Sequence, residues 1–336
     1  MNRSIVLKSR PQGDMSSENF EILDAPVRDP VDGEIVIKLT YLSIDPYLRG
    51  KMNDGASYTE PFAIGGVIEN SCIGQVTASR NSGFQEGDWV KGFLPWQDII
   101  LLGQSEIEGR GVKKIIAQDG VPLSWHLGIL GMPGQTAWVG LKGLGKPQAG
   151  ETVFVSAASG AVGMTVGQIA KQFDCRVVGC AGSDDKVAHV IDEIGFDAAF
   201  NYKTETDLDA AFKRCCPEGI DINYENVGGD ISLAAFDNLN DFGRMLICGL
   251  ISRYQSSDPQ PGPALMNMLV RRIKVQGFIV SDHPKLCDEW LEVGGQWVRE
   301  GKLKYHESIK DGLENAPEAL MDVLAGRNFG KQIVKV

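Results

Sequence analysis

The chain of 336 residues has no Cys-x-x-Cys pair, no excess of basic charge, only four histidines and no uninterrupted apolar run of about 20 residues. Each absence removes a class of function. Seven cysteines, Cys72, Cys175, Cys180, Cys215, Cys216, Cys248 and Cys287, are odd in number and scattered, so no disulfide framework is expected and reduced thiols are. A structural zinc needs four clustered ligands and a catalytic one about three, and no such cluster is legible. His126, His189, His283 and His306 are solitary and read as packed or surface residues, and the adjacent Cys215 and Cys216 read as packing near a helix end. No Ser-His-Asp nucleophile motif occurs. No metal is expected, so the chemistry falls to a cofactor and to neutral hydrogen-bond donors.

A formal charge of -11 argues against general nucleic-acid binding and leaves room for one local basic pocket holding an anionic cofactor. The start, "MNRSIVLKSRPQG", lacks the apolar core of a signal peptide, and no segment is long and apolar enough for a membrane helix. The expectation is a cytoplasmic protein with a small-molecule partner. With 43% hydrophobic and 23% charged residues the composition is that of a globular protein, and the length exceeds one comfortable core. Two lobes are expected.

Up to residue 125 the signals are those of a many-stranded β lobe. "GEIVIKLTYLSI" from Gly33 is strand-like, "AIGGVIENSCIGQVTAS" from Ala63 reads as two strands, and "GDWVKGF" from Gly87 as another. From 126 to 300 strands alternate with helical stretches, the pattern of a doubly wound parallel sheet, with strands at Thr152–Ser156, Arg176–Cys180, Ala198–Phe200, Asp221–Glu225, Arg244–Cys248 and Lys274–Val280. In 301–336, "LKYHESI" is extended, "GLENAPEALMDVLAG" helical and "FGKQIVKV" a closing strand, a tail assigned back to the first lobe. The fold class is α/β, a β-rich domain plus a dinucleotide-binding domain.

In "VFVSAASGAVGMTVGQIAKQ", Ala158, Gly160 and Gly163 occupy the three positions of G-x-G-x-x-G between a predicted strand and helix, with Ala161 and Val162 between the last two. Small residues let the backbone approach a pyrophosphate, and helix N–H groups favour its charge. An NAD site usually ends the second strand on Asp or Glu. Here "CRVVGCAGSDDK" puts Ala181, Gly182 and Ser183 there, followed by Lys186. A hydroxyl and an ammonium suit the 2′-phosphate of NADP. The alternative is that Asp184 or Asp185 holds an NAD ribose.

The segments "YLSIDPYLRGKM", "YTEPFAIGGVI", "LGILGMPGQTAWVGL", "AASGAVG", "GSDDK", "ENVGG", "CGLIS", "GFIV" and "NFGK" span nearly the whole chain. Together they resemble the zinc-independent medium-chain reductases of the leukotriene B4 dehydrogenase and prostaglandin reductase group, and within it the bacterial NADPH-dependent curcumin reductases. The resemblance implies a GroES-like domain, a Rossmann domain, an active site in the cleft between them and a homodimer. It also implies NADP contacts from Gly160 to Gly163, Lys186, Tyr202, Asn226, Cys248, Ser252, Phe278, Ile279, Val280 and Asn328. Phe278 to Val280 are expected to end a buried strand. Tyr58 and Tyr254 are the implied aromatic donors beside the substrate, with Met132, Trp96 and the "PQPGP" loop as shapers of the cleft.

The chemistry implied is NADPH-dependent reduction of a carbon–carbon double bond conjugated to a carbonyl. Two alternatives stay open on the sequence alone: a quinone reductase of the same architecture, and a nucleotide-binding protein without turnover.

Overall fold

The computed structural model describes residues 2–55, 57–117, 120–256 and 261–336. They divide into two units, Met1–Leu127 with Glu307–Val336, and Gly128–His306. The first unit begins with an antiparallel ribbon of β1 (Arg3–Leu7) and β2 (Phe20–Asp24). Then come β3 (Ile35–Ser43), the short α1 (Tyr47–Lys51), β4 (Glu69–Ser79), β5 (Trp89–Pro95), β6 (Ile99–Leu102), α2 (Gln104–Gly109) and β7 (Lys113–Lys114). The two strands expected between Ala63 and Ser79 are one. Gly65, at φ +77, and the Gly66 N–H bonded to the Ala63 carbonyl make a turn that leads into β4, and Val67 contributes only an isolated bridge to Val6. Gly74 allows the close approach of β4 to β3, since a Cβ there would lie 2.4 Å from Ile37 Cγ2.

The second unit opens with α3 (Met132–Trp138), continued by a π-helical stretch, Val139–Gly145. Its parallel sheet consists of β8 (Thr152–Val155), β9 (Arg176–Ala181), β10 (Ala198–Asn201), β11 (Ile220–Glu225), β12 (Leu239–Ile247) and β13 (Lys274–Gly277). The connections carry α4 (Ala161–Gln172), α5 (Asp184–Asp192), α6 (Leu208–Cys215), α7 (Gly229–Asp237) and α8 (Leu265–Arg271), and α9 (Pro284–Arg299) follows the last strand. Strand order β10-β9-β8-β11-β12-β13 is that of the doubly wound dinucleotide fold. After Thr152, β8 is apolar throughout because helices cover both faces of the sheet, and all four of its residues are buried. Phe154, Phe200 and Phe212 pack one side of it, while Trp138, Trp290 and Trp297 pack α3 against α9.

Two strand boundaries differ from the sequence reading by more than one residue. β12 starts at Leu239 instead of Arg244, and β13 stops at Gly277, so Phe278 and Ile279 follow the strand and Val280 opens a 3-10 turn, Val280–Asp282. Nor is this strand a buried one. It is the outer strand of the sheet, paired with β12 alone, and its side chains are half-buried or exposed.

The chain then returns to the first unit through β14 (Glu307–Asp311), α10 (Ala316–Leu324) and β15 (Lys331–Lys335). β15 inserts between β14 and β3, giving a sheet ordered β14-β15-β3-β4-β5-β7, with β6 also on β3. Leu313, Ala316, Leu320 and Val323 recur at helical spacing, and that face enters the core of Ile5, Leu39, Leu48 and Trp96.

Candidate active site

After β8 the chain turns through Ser156 to Gly160 into α4. Ala157 sits at φ +50, the Ala158 N–H donates to the Cys180 carbonyl at 2.9 Å, and Gly160 caps α4 without any side-chain bond. The first turn of α4, Ala161, Val162 and Gly163, therefore presents backbone N–H groups that the helix itself leaves without acceptors. A Cβ on Gly163 would lie 2.3 Å from the Ala157 oxygen and 2.9 Å from Ala158 Cα, so helix and turn approach more closely than any side chain permits. Ala158 replaces the usual first glycine because the opposite strand gives way: a Cβ on Gly179 would lie 2.5 Å from the Ala158 methyl. This geometry fits a pyrophosphate.

At the end of β9, Ser183 caps α5, its Oγ accepting the Lys186 N–H at 3.4 Å. Asp184 and Asp185, the candidates for an NAD ribose, are exposed in the first turn of α5, where acidic side chains suit the helix dipole, and Asp184 accepts from Asn201 Nδ2 at 2.8 Å. Lys186 is half-buried. Burial, and then the like charge of Lys203, push its ammonium below the ordinary lysine range. A Cβ on Gly182 would lie 3.0 Å from the Tyr202 hydroxyl and 3.3 Å from Lys203 Cε, so Gly182, Tyr202 and Lys203 share one corner. Burial raises the Tyr202 phenol. Two neighbouring ammonium groups are stabilised by an anion between them, and a 2′-phosphate fits that corner. Sequence reading missed Lys203; its position directly after Tyr202 is the signal.

Across the sheet, the Asn226 N–H donates to Ser156 Oγ at 2.7 Å and its amide nitrogen to the Ser156 carbonyl at 2.8 Å. Ser252 is exposed, its hydroxyl donating to the Val227 carbonyl at 2.6 Å. Cys248 is half-buried, and burial pushes its thiol up to about 12. Tyr254 follows the 3-10 turn Ile251–Arg253 and is half-buried, and its hydroxyl lies 3.1 Å from where a Gly249 Cβ would stand. The Phe278 ring meets Tyr224 edge-on at 6.3 Å, while the Ile279 and Val280 carbonyls accept from the N–H groups of Asp282 and His283. Met132 is half-buried at the start of α3. Pro259 and Gln260 of the "PQPGP" loop lie outside the described residues.

In the first unit Tyr58 is 63% exposed. Trp96, taken as a shaper of the cleft, is instead fully buried in the core, because its ring follows β5 inward among Ile5 and Leu94. Asn328 donates to the Gly330 carbonyl at 2.8 Å, holding its own turn. Tyr47 was missed. Its hydroxyl donates to Asn70 Oδ1 at 2.5 Å, Asn70 donates to Asp45 at 2.9 Å, and the buried Lys331 donates to the other Asp45 oxygen at 2.9 Å. Burial first, then Asp45 and Tyr58, raise the Tyr47 phenol far above its usual value. This network joins "IDPY" to "NFGK".

Residues 3–109 match the family described as the N-terminal domain of oxidoreductase, and residues 161–293 the family described as zinc-binding dehydrogenase. Among the described residues no group of three or more His, Cys, Asp or Glu side chains is placed to hold a metal ion, so the donors present do not fit a zinc. The chain is 42% identical to the NADPH-dependent curcumin reductase of Escherichia coli (strain K12), over 100% of its own length and 97% of that protein. It is also 42% identical to the NADP(+)-dependent 2-alkenal reductase of Nicotiana tabacum, with 100% and 97% covered. Among solved structures, CurA of Vibrio vulnificus in complex with NADPH superposes with a TM-score of 0.93 at 39% identity, covering 99% of each chain.

Proposed function

This chain belongs to the medium-chain dehydrogenase/reductase family, in the group of the prostaglandin, 2-alkenal and curcumin reductases, and from that premise we propose that it uses NADPH to reduce the double bond of α,β-unsaturated ketones and aldehydes. The observation that carries the reading is full-length similarity to reductases of this kind. The corner of Gly182, Lys186, Tyr202 and Lys203 agrees with it, since it suits the phosphate that distinguishes NADPH from NADH.

When bound, NADPH supplies the hydride that adds to the β carbon of the substrate. The first turn of α4 would hold the pyrophosphate, and Ser183, Lys186, Tyr202 and Lys203 would hold the adenosine end. Asn226, Cys248, Ser252, Phe278, Ile279, Val280 and Asn328 are assigned to the remaining wall. As hydride arrives, charge collects on the substrate's carbonyl oxygen, where a donor aimed at it stabilises it, and the enolate then takes a proton at the α carbon from water or a tyrosine. Tyr58 and Tyr254 are the donors proposed. A phenol with an ordinary pKa of about 10 keeps its proton at neutral pH and needs no metal to donate it.

The test is NADPH oxidation against a panel of enones, enals and quinones with each product identified. The saturated carbonyl compound is expected; an allylic alcohol would overturn the regiochemistry, and turnover confined to quinones the substrate class. The quinone arm is included because Escherichia coli quinone oxidoreductase shares the fold, with a TM-score of 0.77 at 18% identity. Single Tyr58→Phe and Tyr254→Phe variants then test the donors. Loss of an effective one lowers turnover by about a hundredfold or more.

We further assign the protein to the cytoplasm as a homodimer associating through its second unit. The seven cysteines form no disulfide, as in a reducing compartment. For the dimer, the support is the outer strand β13 with α8 beside it, where Leu265, Met266, Leu269 and Val270 are 75%, 67%, 70% and 60% exposed.

A further inference from the structure

Glu225, the last residue of β11, is fully buried, and its partners are all uncharged donors. Oε1 accepts from the Ser156 hydroxyl at 2.9 Å, the Val227 N–H at 2.7 Å and the Gly228 N–H at 2.9 Å, and Oε2 accepts from Asn223 Nδ2 at 3.3 Å. A buried carboxylate without a cation is costly, so what it organises has to hold it there.

Its location says what that is. β8 and β11 are the neighbours at which strand order reverses, and dinucleotides bind outside the carboxyl ends of the strands at that point. Ser156 directly follows β8 and Glu225 ends β11, so their hydrogen bond spans the switch point. Ser156 Oγ also accepts the Asn226 N–H, and the Val227 carbonyl takes the N–H of Ser252 at 3.0 Å and its hydroxyl at 2.6 Å. The Glu225 carbonyl takes the N–H groups of Cys248 at 2.9 Å and Gly249 at 3.2 Å. One residue therefore ties together the three loops that leave β8, β11 and β12.

We propose that Glu225 is a positioning residue for the pyrophosphate and nicotinamide half of the cofactor, setting the turn 226–228 and Ser156 so that the switch point is shaped before NADPH arrives. The proposal rests on the cofactor reading above. Glu225 has no surface to meet the cofactor and acts through Ser156 and the turn.

Asn223 Oδ1 is buried and has no hydrogen-bond partner. This sets the contrast between two variants. In Glu225→Gln the amide oxygen still receives the three donors, while its Nε2 meets Asn223 Oδ1 once that amide turns over. In Glu225→Met the shape is nearly kept and every acceptor is lost. Two ligands are titrated into the full-length protein, NADPH and adenosine 2′-monophosphate, which carries only the phosphate end. Glu225→Met is expected to weaken NADPH binding by about tenfold or more and to leave adenosine 2′-monophosphate within about twofold, with Glu225→Gln near wild type. If Glu225→Met does not fold, Ser156→Ala carries the test with the same selective loss. Unchanged NADPH affinity, an equal loss of both ligands, or a Gln variant as weak as Met would overturn the positioning role. A wild-type protein that binds neither ligand would instead overturn the cofactor reading.

Discussion

Lys186 is partly removed from water, and the neighbouring charge of Lys203 further disfavours its ammonium form. An anion is the natural third party. Lys186→Ala is expected to weaken NADPH by about ten- to a hundredfold and NADH hardly at all, because only NADPH carries the 2′-phosphate. Lys203→Ala, at an exposed position, should show the same preference with a smaller loss. Calorimetric titration of both cofactors checks this; an NADPH preference that survives the Lys186 substitution would return Asp184 or Asp185 to consideration as ribose ligands.

His126 supports a prediction about pH. Burial first, and then Lys91, push its imidazole down to about 4 from the ordinary 6.5. Between those values the unfolded chain binds a proton that the folded one refuses. This group's contribution is therefore fully present above pH 6.5 and is lost as the pH falls toward 4. His126→Gln should flatten the rise of stability with pH across that window, measured as urea midpoints. His189, also depressed by burial, leaves a residual slope. An unaltered slope would remove His126 from the account.

At the scale of elements, the turn between β8 and α4 separates two roles of glycine. Gly163 faces inward, where a Cβ would stand 2.3 Å from a backbone oxygen, whereas at Gly160 the nearest atom would be 3.2 Å away. Gly163→Ala must push helix from turn, at a cost of about 1 to 3 kcal/mol of stability together with NADPH affinity. Gly160→Ala should lose less stability, and its methyl would stand where the phosphate approaches. Thermal unfolding with NADPH titration separates the two; equal stability losses would refute the distinction. β13 shows the limit of reading elements from composition. Lys274 to Val280 is apolar enough to read as a buried strand, yet the sheet ends there and the last three residues leave it.

For the whole molecule, the net charge of -11 is compatible with NADPH, because the groups proposed to meet its phosphates, Lys186, Lys203 and the helix N–H groups, would act at close range while dispersed surface charge is screened. Association through α8 and β13 has a direct test. Leu269 is 70% exposed, and Leu269→Glu should convert a dimer to a monomer in light scattering while leaving the fold intact. A wild-type protein that is monomeric, or a variant that remains dimeric, would move the interface elsewhere or remove it.

The sequence by itself determined the features that arise within a few residues of one another. The strand, small-residue turn and helix from Thr152 to Gln172 are such a case, although α4 is buried all round from Gly163 to Ala170, as is the alternation of strand and helix that specifies the parallel sheet. The missing carboxylate at the end of β9 and the lysine after it were legible for the same reason. Tertiary structure alone decided which distant groups meet. Ser156 bonds Glu225 across 69 positions and Lys331 bonds Asp45 across 286, and no local propensity encodes either pairing. It also decided burial: Trp96 went to the core and β13 to an edge, because covering a strand or ring depends on what the remainder of the chain packs against it.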